Sequence, residues 1–197
     1  MAVVVLNFSV YYFSRVIAGG AYHHSLGWEF ENYIPLLPWT VIIYFGCYLF
    51  WIANYILCTR FDSAQAKRFL WADMMGKVVC FLCYVLYPTT MVRPEITGSG
   101  IFNEGMRFLY AVDAADNLFP SIHCFVSWMC YIGMRKDDRY PRSYRVFSLL
   151  FASAVCISTL TTKQHVLVDL ISGIALAEIC YYITGKIVYR KGKNQTI

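Results

Sequence analysis

The sequence predicts an all-α membrane protein built as a bundle of six transmembrane helices. Of the 197 residues, 58% are hydrophobic and only 15% are charged, which is far from the composition of soluble proteins. Six apolar runs follow one another along the chain, and most approach the roughly 20 residues needed to cross a bilayer. The loops between them alternate between rich and poor in Lys and Arg. We therefore expect one membrane-embedded domain over residues 1–197.

The six apolar runs define the expected spans in order. The first begins at Ala2 with no basic lead-in and no obvious cleavage site, so we interpret it as a retained span rather than a secretion signal. The fourth and fifth are short, and the fourth is expected to begin earlier or to place its first turn in a polar cavity. The runs occupy residues 2–18, 38–58, 69–89, 121–134, 146–161 and 166–188.

The basic residues predict how the chain is threaded through the membrane. Most of them fall between spans two and three, between spans four and five, and after span six. The remaining loops have no Lys or Arg between residues 19 and 37, and their basic residues are Arg93, Arg107 and Lys163. We expect both termini to be cytoplasmic and these three residues to be extracytoplasmic. The cytoplasmic group is Arg60, Lys67, Arg68, Arg135, Lys136, Arg139, Arg142, Arg145, Lys186, Arg190, Lys191 and Lys193.

Two short polar stretches flank the last pair of spans. In residues 163–169, His165 and Asp169 are four apart, so on a helix they would share one face and the carboxylate could hold one imidazole nitrogen. In residues 120–123, Pro-Ser is a helix-start signal, with Ser121 placed to cap the helix and His123 in its first turn. The sequence therefore predicts two histidines at two helix beginnings on the same side.

Taken alone, each stretch has an ordinary structural explanation. His165 and Asp169 would be a satisfied structural pair, and Ser121 would be a plain helix cap. The combination indicates more, because two histidines, Arg93, Lys163 and an aspartate at one predicted membrane depth are costly to keep without a use.

These residues resemble three motifs of the type 2 phosphatidic acid phosphatase superfamily: Lys-x6-Arg-Pro, Pro-Ser-Gly-His and Ser-Arg-x5-His-x3-Asp. The matching segments are Arg93-Pro94, residues 120–123, and Ser158 through His165 to Asp169. The resemblance covers about half of the chain, from the third apolar run to the sixth. It implies a catalytic core at about residues 77–185.

The chain departs from the motifs at three positions. Leu86 stands where the first motif has Lys, Ile122 where the second has Gly, and Thr159 where the third has Arg. Two phosphate-binding cations are thus missing, and Lys163 is the evident replacement. A lysine supplies a point charge rather than a bidentate fork, so we expect looser phosphate positioning than with Arg.

The resemblance implies phosphoryl transfer through a phosphohistidine, without metal or cofactor. His165 would be the nucleophile, Asp169 would favour its correct tautomer, and His123 would protonate the departing oxygen. Cations and helix-start amides would stabilise the phosphate charge. By the same resemblance the phosphate-binding residues would be Arg93, Lys163 and Ser121.

Three functions stay open at this stage. The first is a membrane lipid phosphatase that cleaves a phosphate ester or anhydride of a lipid phosphate. The second is a lipid phosphotransferase that moves a phosphorylated headgroup to an alcohol, since residues 119–123 look closer to the branch containing inositol phosphorylceramide synthases. The third is a noncatalytic membrane component or transporter. The expected partners are a lipid phosphate and membrane lipids, with no nucleic acid, and the oligomeric state is not predicted.

Further expectations concern a loop, one ion pair and the cysteines. The long connection 91–119 is either a lid or substrate-binding element, or a plain solvated connector with Asp113 and Asp116 as surface charges. Lys77 and Glu178 lie at similar predicted depths and are expected to pair. The eight cysteines fall nearly all in apolar runs and are expected to be free thiols.

Overall fold

The computed structural model describes residues 2–60 and 64–193, with side chains for residues 9–29, 31–60 and 64–188, and this part is mostly helical. The side chains of Arg190, Lys191 and Lys193, used for the predicted orientation, lie outside the described part. The helices are α1 (Ala2–Ala18), α2 (Val41–Thr59), α3 (Ala64–Leu86), α4 (Ile101–Val112), α5 (Ile122–Met134), α6 (Arg142–Thr161) and α7 (Leu167–Lys193). Two short strands, β1 (His24–Ser25) and β2 (Thr89–Thr90), and the 3-10 helices Glu29–Tyr33 and Pro38–Thr40 lie in the loops.

Four of the six expected spans are long and apolar enough to cross a membrane. In the described part of the chain they are Pro38–Thr59, Ala64–Leu86, Arg142–Thr161 and Leu167–Val188. The other two predicted spans correspond to α1, with 17 residues, and α5, with 13. A bundle of six spanning helices is therefore not confirmed: α1 and α5 form close to the predicted bounds, but both fall short of the roughly 20 residues that a span needs.

Helix α5 is apolar because it forms the centre of the bundle. All of its residues except Trp128 and Tyr131 are buried, and it packs against α2, α3, α6 and α7. At 1.5 Å per residue it is about 20 Å long, against a hydrocarbon core of about 30 Å. Burial by protein and burial by lipid select the same residue types, so the sequence could not distinguish this core helix from a full span.

The outer surface of the bundle suits a lipid environment. Large apolar side chains point outward from the four long helices, and each is more than half exposed: Leu49, Val78, Leu150 and Ile171. In water such surfaces would favour aggregation, whereas acyl chains solvate them. The chain is an integral membrane protein.

The loops at one end of the bundle are tied together. Strand β1 pairs in parallel with β2, and Thr90 forms an isolated antiparallel bridge with Asp116. Within the long connection, α4 packs Met106 and Leu109 against α2. The connection is therefore an ordered element over the bundle end, and the expectation of a plain solvated connector is wrong.

The predicted pair of Lys77 with Glu178 is also wrong, because each residue finds another partner. The Lys77 Nζ donates to Asp73 Oδ2 at 2.7 Å, one turn away on the same helix. Glu178 accepts from both terminal nitrogens of Arg135, at 2.6 and 3.0 Å. Equal depth did not decide the pairing, since α5 ends early and brings Arg135 to Glu178. All eight cysteines are free thiols, as expected.

Candidate active site

The expected contact between His165 and Asp169 is present. His165 lies two residues before α7 and Asp169 in its first turn, and Nδ1 donates to Oδ2 at 3.4 Å. The same carboxylate oxygen accepts from the backbone N–H of Val166 at 3.0 Å, which fixes its orientation. With Nδ1 carrying the proton, the neutral ring keeps its lone pair on Nε2.

Asp169 also determines when His165 is charged. Burial alone would lower the pKa of His165, but the hydrogen bond and the negative charge of Asp169 outweigh it and raise the pKa above its ordinary value. The imidazole is therefore a stronger base than an exposed histidine.

Ser121 caps α5 as expected and joins α5 to α7. Its hydroxyl accepts from the backbone N–H of Cys124 at 3.3 Å, and its own N–H donates to the backbone oxygen of Asp169 at 3.1 Å. A glycine permits this close approach: a Cβ at Gly173 would lie 2.6 Å from the Ser121 carbonyl oxygen. The two predicted motifs are thus in direct backbone contact.

His123 is held by a chain of hydrogen bonds that begins in the long connection. The Tyr44 hydroxyl gives its single proton to Asp113 Oδ2 at 2.7 Å, and its oxygen lies 3.4 Å from His123 Nδ1. Since that proton is used, the Tyr44 oxygen accepts from Nδ1–H. The Tyr11 hydroxyl donates to the other oxygen of Asp113 at 2.8 Å. Asp113 is therefore a member of the site and not a surface charge.

The two histidines face each other across a small internal space. Their ring centroids are 6.0 Å apart. The space has a volume of about 10 Å³ and is lined by both imidazoles, Asp113, Gln164 and Ile122 among others. The buried His123 Nε2 has no hydrogen-bond partner among the described residues. Each Nδ1 is engaged with protein, which leaves each Nε2 for a ligand.

Arg93 uses its guanidinium mainly within the protein. Nη1 donates to the backbone oxygen of Asp113, and Nη2 donates to the oxygens of Ala114, at 3.1 Å, and of the Gln164 side chain. The cation also lies 4.9 Å from the centre of the Tyr110 ring. Only Nε is buried without a partner in the described part of the chain. Arg93 therefore links the long connection to the segment before His165.

Lys163 occupies the turn between α6 and α7. It adopts a left-handed conformation with φ of 54°, and the backbone bonds from Lys163 to Leu160 and from Gln164 to Thr159 form a Schellman motif. Its Nζ donates to the carbonyl oxygens of Glu31, at 3.0 Å, and Ile34, at 2.6 Å. Burial lowers its pKa, and the charge of Glu31 opposes this. The ammonium is thus turned toward the loop after β1.

A larger cleft opens beside the nucleophile candidate. Its volume is about 720 Å³, and its lining includes Glu31, Asn32, Arg93, Lys163 and His165. The Glu31 side chain accepts from the N–H of Leu167 at 2.9 Å, at the beginning of α7. This cleft is polar where it meets His165 and has room for a headgroup or a second substrate.

The structure brings together the two histidines, Asp169 and the Ser121 cap that the sequence singled out, and adds three residues that sequence reasoning missed. Tyr44 lies in an apolar run with many similar residues, so nothing in the sequence indicated a role in the site. Glu31 is 136 residues from Leu167, to which it bonds. Gln164 could have been noticed only because it directly precedes His165. In the described part of the chain, no group of three or more His, Cys, Asp or Glu side chains that could hold a metal ion is found.

Comparison with known proteins gives a family and nothing closer. A sequence model described as the PAP2 superfamily matches residues 19–183 of the chain. No curated protein and no solved structure matches significantly.

Proposed function

This chain belongs to the PAP2 superfamily, that of the type 2 phosphatidic acid phosphatases, and we propose that it is a lipid phosphatase acting through a phosphohistidine. Membership makes it a lipid enzyme of the phosphatase or phosphotransferase type. The observation that carries the finer proposal is the pair of imidazoles 6.0 Å apart, each bound through Nδ1 and each with Nε2 left for the substrate.

In the proposed reaction, Nε2 of His165 attacks the phosphorus of a lipid phosphate while the bond from phosphorus to the lipid oxygen breaks. Burial lowers the pKa of His123 to about 4, so in this proposal His123 gains its proton only once the phosphate anion binds beside it, and it then gives its Nε2 proton to the departing oxygen. Water then attacks the phosphohistidine, His123 takes a proton from that water, and inorganic phosphate leaves. Asp169 and Tyr44 hold the two rings in the tautomers that this requires. No metal is needed for these steps.

We further propose that the site opens at the extracytoplasmic surface. The supporting observation is that the candidate residues cluster near the ends of α3 and α6 and the beginnings of α5 and α7, whereas most basic loop residues lie at the opposite helix ends. Cysteine labelling of Ser25 and Asp138 variants from each side of sealed vesicles tests this. Outside labelling at position 25 and inside labelling at 138 are expected, and the reverse pattern would refute the orientation.

The test of the proposed function is phosphate release from a panel of lipid phosphates by detergent-purified protein in EDTA. His165→Ala and His123→Ala should each abolish release, since one removes the nucleophile and the other the acid. His23→Ala is the matched control, because His23 lies in the loop before β1 and bonds only Ala21 among the contacts described. Folded wild-type protein that releases no phosphate from any substrate would refute the phosphatase.

The 720 Å³ cleft favours a second candidate, a phosphotransferase. A hydrolase needs room for water alone beside the phosphohistidine, whereas a transferase needs room for an alcohol. A labelled phospholipid donor given with an inositol, diacylglycerol or ceramide acceptor distinguishes them. Label appearing in a new lipid rather than in free phosphate would establish transfer.

A further inference from the structure

The side-chain amide of Gln164 is held in one orientation by Arg93. Arginine has only donors, so the Gln164 atom that faces it must be the carbonyl oxygen. The amide nitrogen is then the other branch of the amide, and Gln164 lines the space shared by the two histidines. Gln164 is only 1% exposed, and its Nε2 has no hydrogen-bond partner among the described residues. A buried amide with two unused protons is rare in folded proteins.

The backbone gives the amide a fixed place beside the nucleophile candidate. The N–H groups of Gln164 and His165 both donate to the carbonyl oxygen of Thr159, at 2.9 and 3.1 Å. The Schellman turn thus presents the two side chains together. His123 Nε2, also without a partner in the described structure, lies on the same internal space.

The other candidates for the missing cation of the third motif are directed elsewhere. The Thr159 hydroxyl donates to the carbonyl oxygen of Cys156 at 2.7 Å. The Lys163 ammonium donates to Glu31 and Ile34. Both terminal nitrogens of Arg93 donate to protein oxygens, which leaves only its Nε without a partner among the described residues.

We propose that Gln164 is a phosphate-binding residue, whose amide donates to one non-bridging oxygen of the phosphoryl group, and that Arg93 is the positioning residue that orients it. The internal space of about 10 Å³ has room for about one oxygen-sized atom, so the phosphorus stays on the His165 side. His165 lines both this space and the 720 Å³ cleft, which places the reacting group at their boundary. The proposal rests on the proposed function and names a group that binds its substrate.

The test compares two Gln164 variants for binding of inorganic phosphate, measured by calorimetry with detergent-purified protein. Gln164→Glu keeps an acceptor for Arg93 and removes the donor, whereas Gln164→Met removes the donor without adding charge. Both should weaken phosphate binding about 10- to 100-fold, as expected for a lost hydrogen bond to a charged group. Gln65→Glu and Gln65→Met are the matched controls, because Gln65 donates to Gly133 elsewhere in the bundle, and they should bind as wild type.

A double-mutant cycle tests the positioning role. If Arg93 acts through Gln164, Arg93→Met should weaken phosphate binding in the wild type and add little in the Gln164→Met background. If Arg93→Met weakened phosphate binding by the same factor in both backgrounds, the positioning role would be overturned and Arg93 would be a direct phosphate ligand. Wild-type-like binding by Gln164→Met in a protein of unchanged thermal stability would overturn the role of the amide.

Phosphate binding and turnover separate the two proposals. A wild type that binds phosphate through Gln164 but releases none from lipids would support this inference and refute the phosphatase. Release of phosphate from lipids at the wild-type rate by both Gln164 variants would support the phosphatase and refute the role of Gln164. Wild-type protein that binds no phosphate and turns over no substrate would overturn both.

Discussion

Asp113 and Tyr44 are joined by a hydrogen bond of 2.7 Å that connects the long loop to the centre of the bundle. Tyr44 lies on α2 and Asp113 at the end of α4, and the tyrosine oxygen continues to His123 at 3.4 Å. The two candidate catalytic histidines are therefore each oriented by a carboxylate, His165 directly and His123 through a tyrosine.

Tyr44→Phe should lower kcat about tenfold or more with little change in KM, because His123 loses the acceptor that fixes its tautomer while the phosphate ligands remain. The measurement is steady-state hydrolysis of the best lipid phosphate. Tyr140→Phe is the matched control, since its hydroxyl donates to Leu57 at 2.9 Å away from the site, and it should retain wild-type kcat. An unchanged kcat in Tyr44→Phe would exclude the relay.

The pH dependence should report the contact between His165 and Asp169. The nucleophile must be unprotonated, so kcat/KM should fall as the pH drops through the pKa of His165, which Asp169 raises above the ordinary value of 6.5. In Asp169→Asn, burial remains and the raising charge is lost, so this acidic limb should move to lower pH while the plateau rate falls. If the acidic fall in kcat/KM occurs at the same pH in Asp169→Asn, it reports the titration of a group other than His165.

Gly173→Ala should impair both stability and activity. The added methyl would lie 2.6 Å from the Ser121 carbonyl oxygen, so α7 must move away from α5 and weaken the contact between Ser121 and Asp169. The expected cost is about 1–3 kcal/mol in the free energy of unfolding, measured by denaturant titration in detergent. Gly20→Ala is the control, because a Cβ there meets nothing within 4 Å. Equal stability of the two variants would contradict the close approach.

Glu31→Ala should destabilise the beginning of α7. The lost hydrogen bond to the Leu167 N–H is a helix-capping interaction worth about 1 kcal/mol, and thermal unfolding should show that loss. Glu29→Ala, on the same 3-10 helix, is the control and should be neutral. Hydrogen exchange at the Leu167 amide gives a local check, because exchange should accelerate there if Glu31 is the cap.

The sequence by itself determined the features that depend on neighbours close along the chain. His165 lies just before α7 and Asp169 in its first turn, so the short stretch of chain between them brings the two side chains together. Ser121 is a helix cap because of its residue type and its position before α5. Composition determined the membrane environment, and the motif residues determined the family, which the match over residues 19–183 confirms.

Only the tertiary structure decided the partners of the polar groups and the depth of the helices. A helix buried in protein and a helix facing lipid have similar apolar compositions. The sequence of α5 therefore predicted a membrane span, although the helix is buried within the bundle. The partner of a charged group depends on which groups packing brings within reach. Glu178 therefore pairs with Arg135, and Lys163 donates to the loop carbonyls of Glu31 and Ile34. The orientation of Gln164 likewise depends on Arg93, 71 residues away, and no local pattern encodes a contact of that separation.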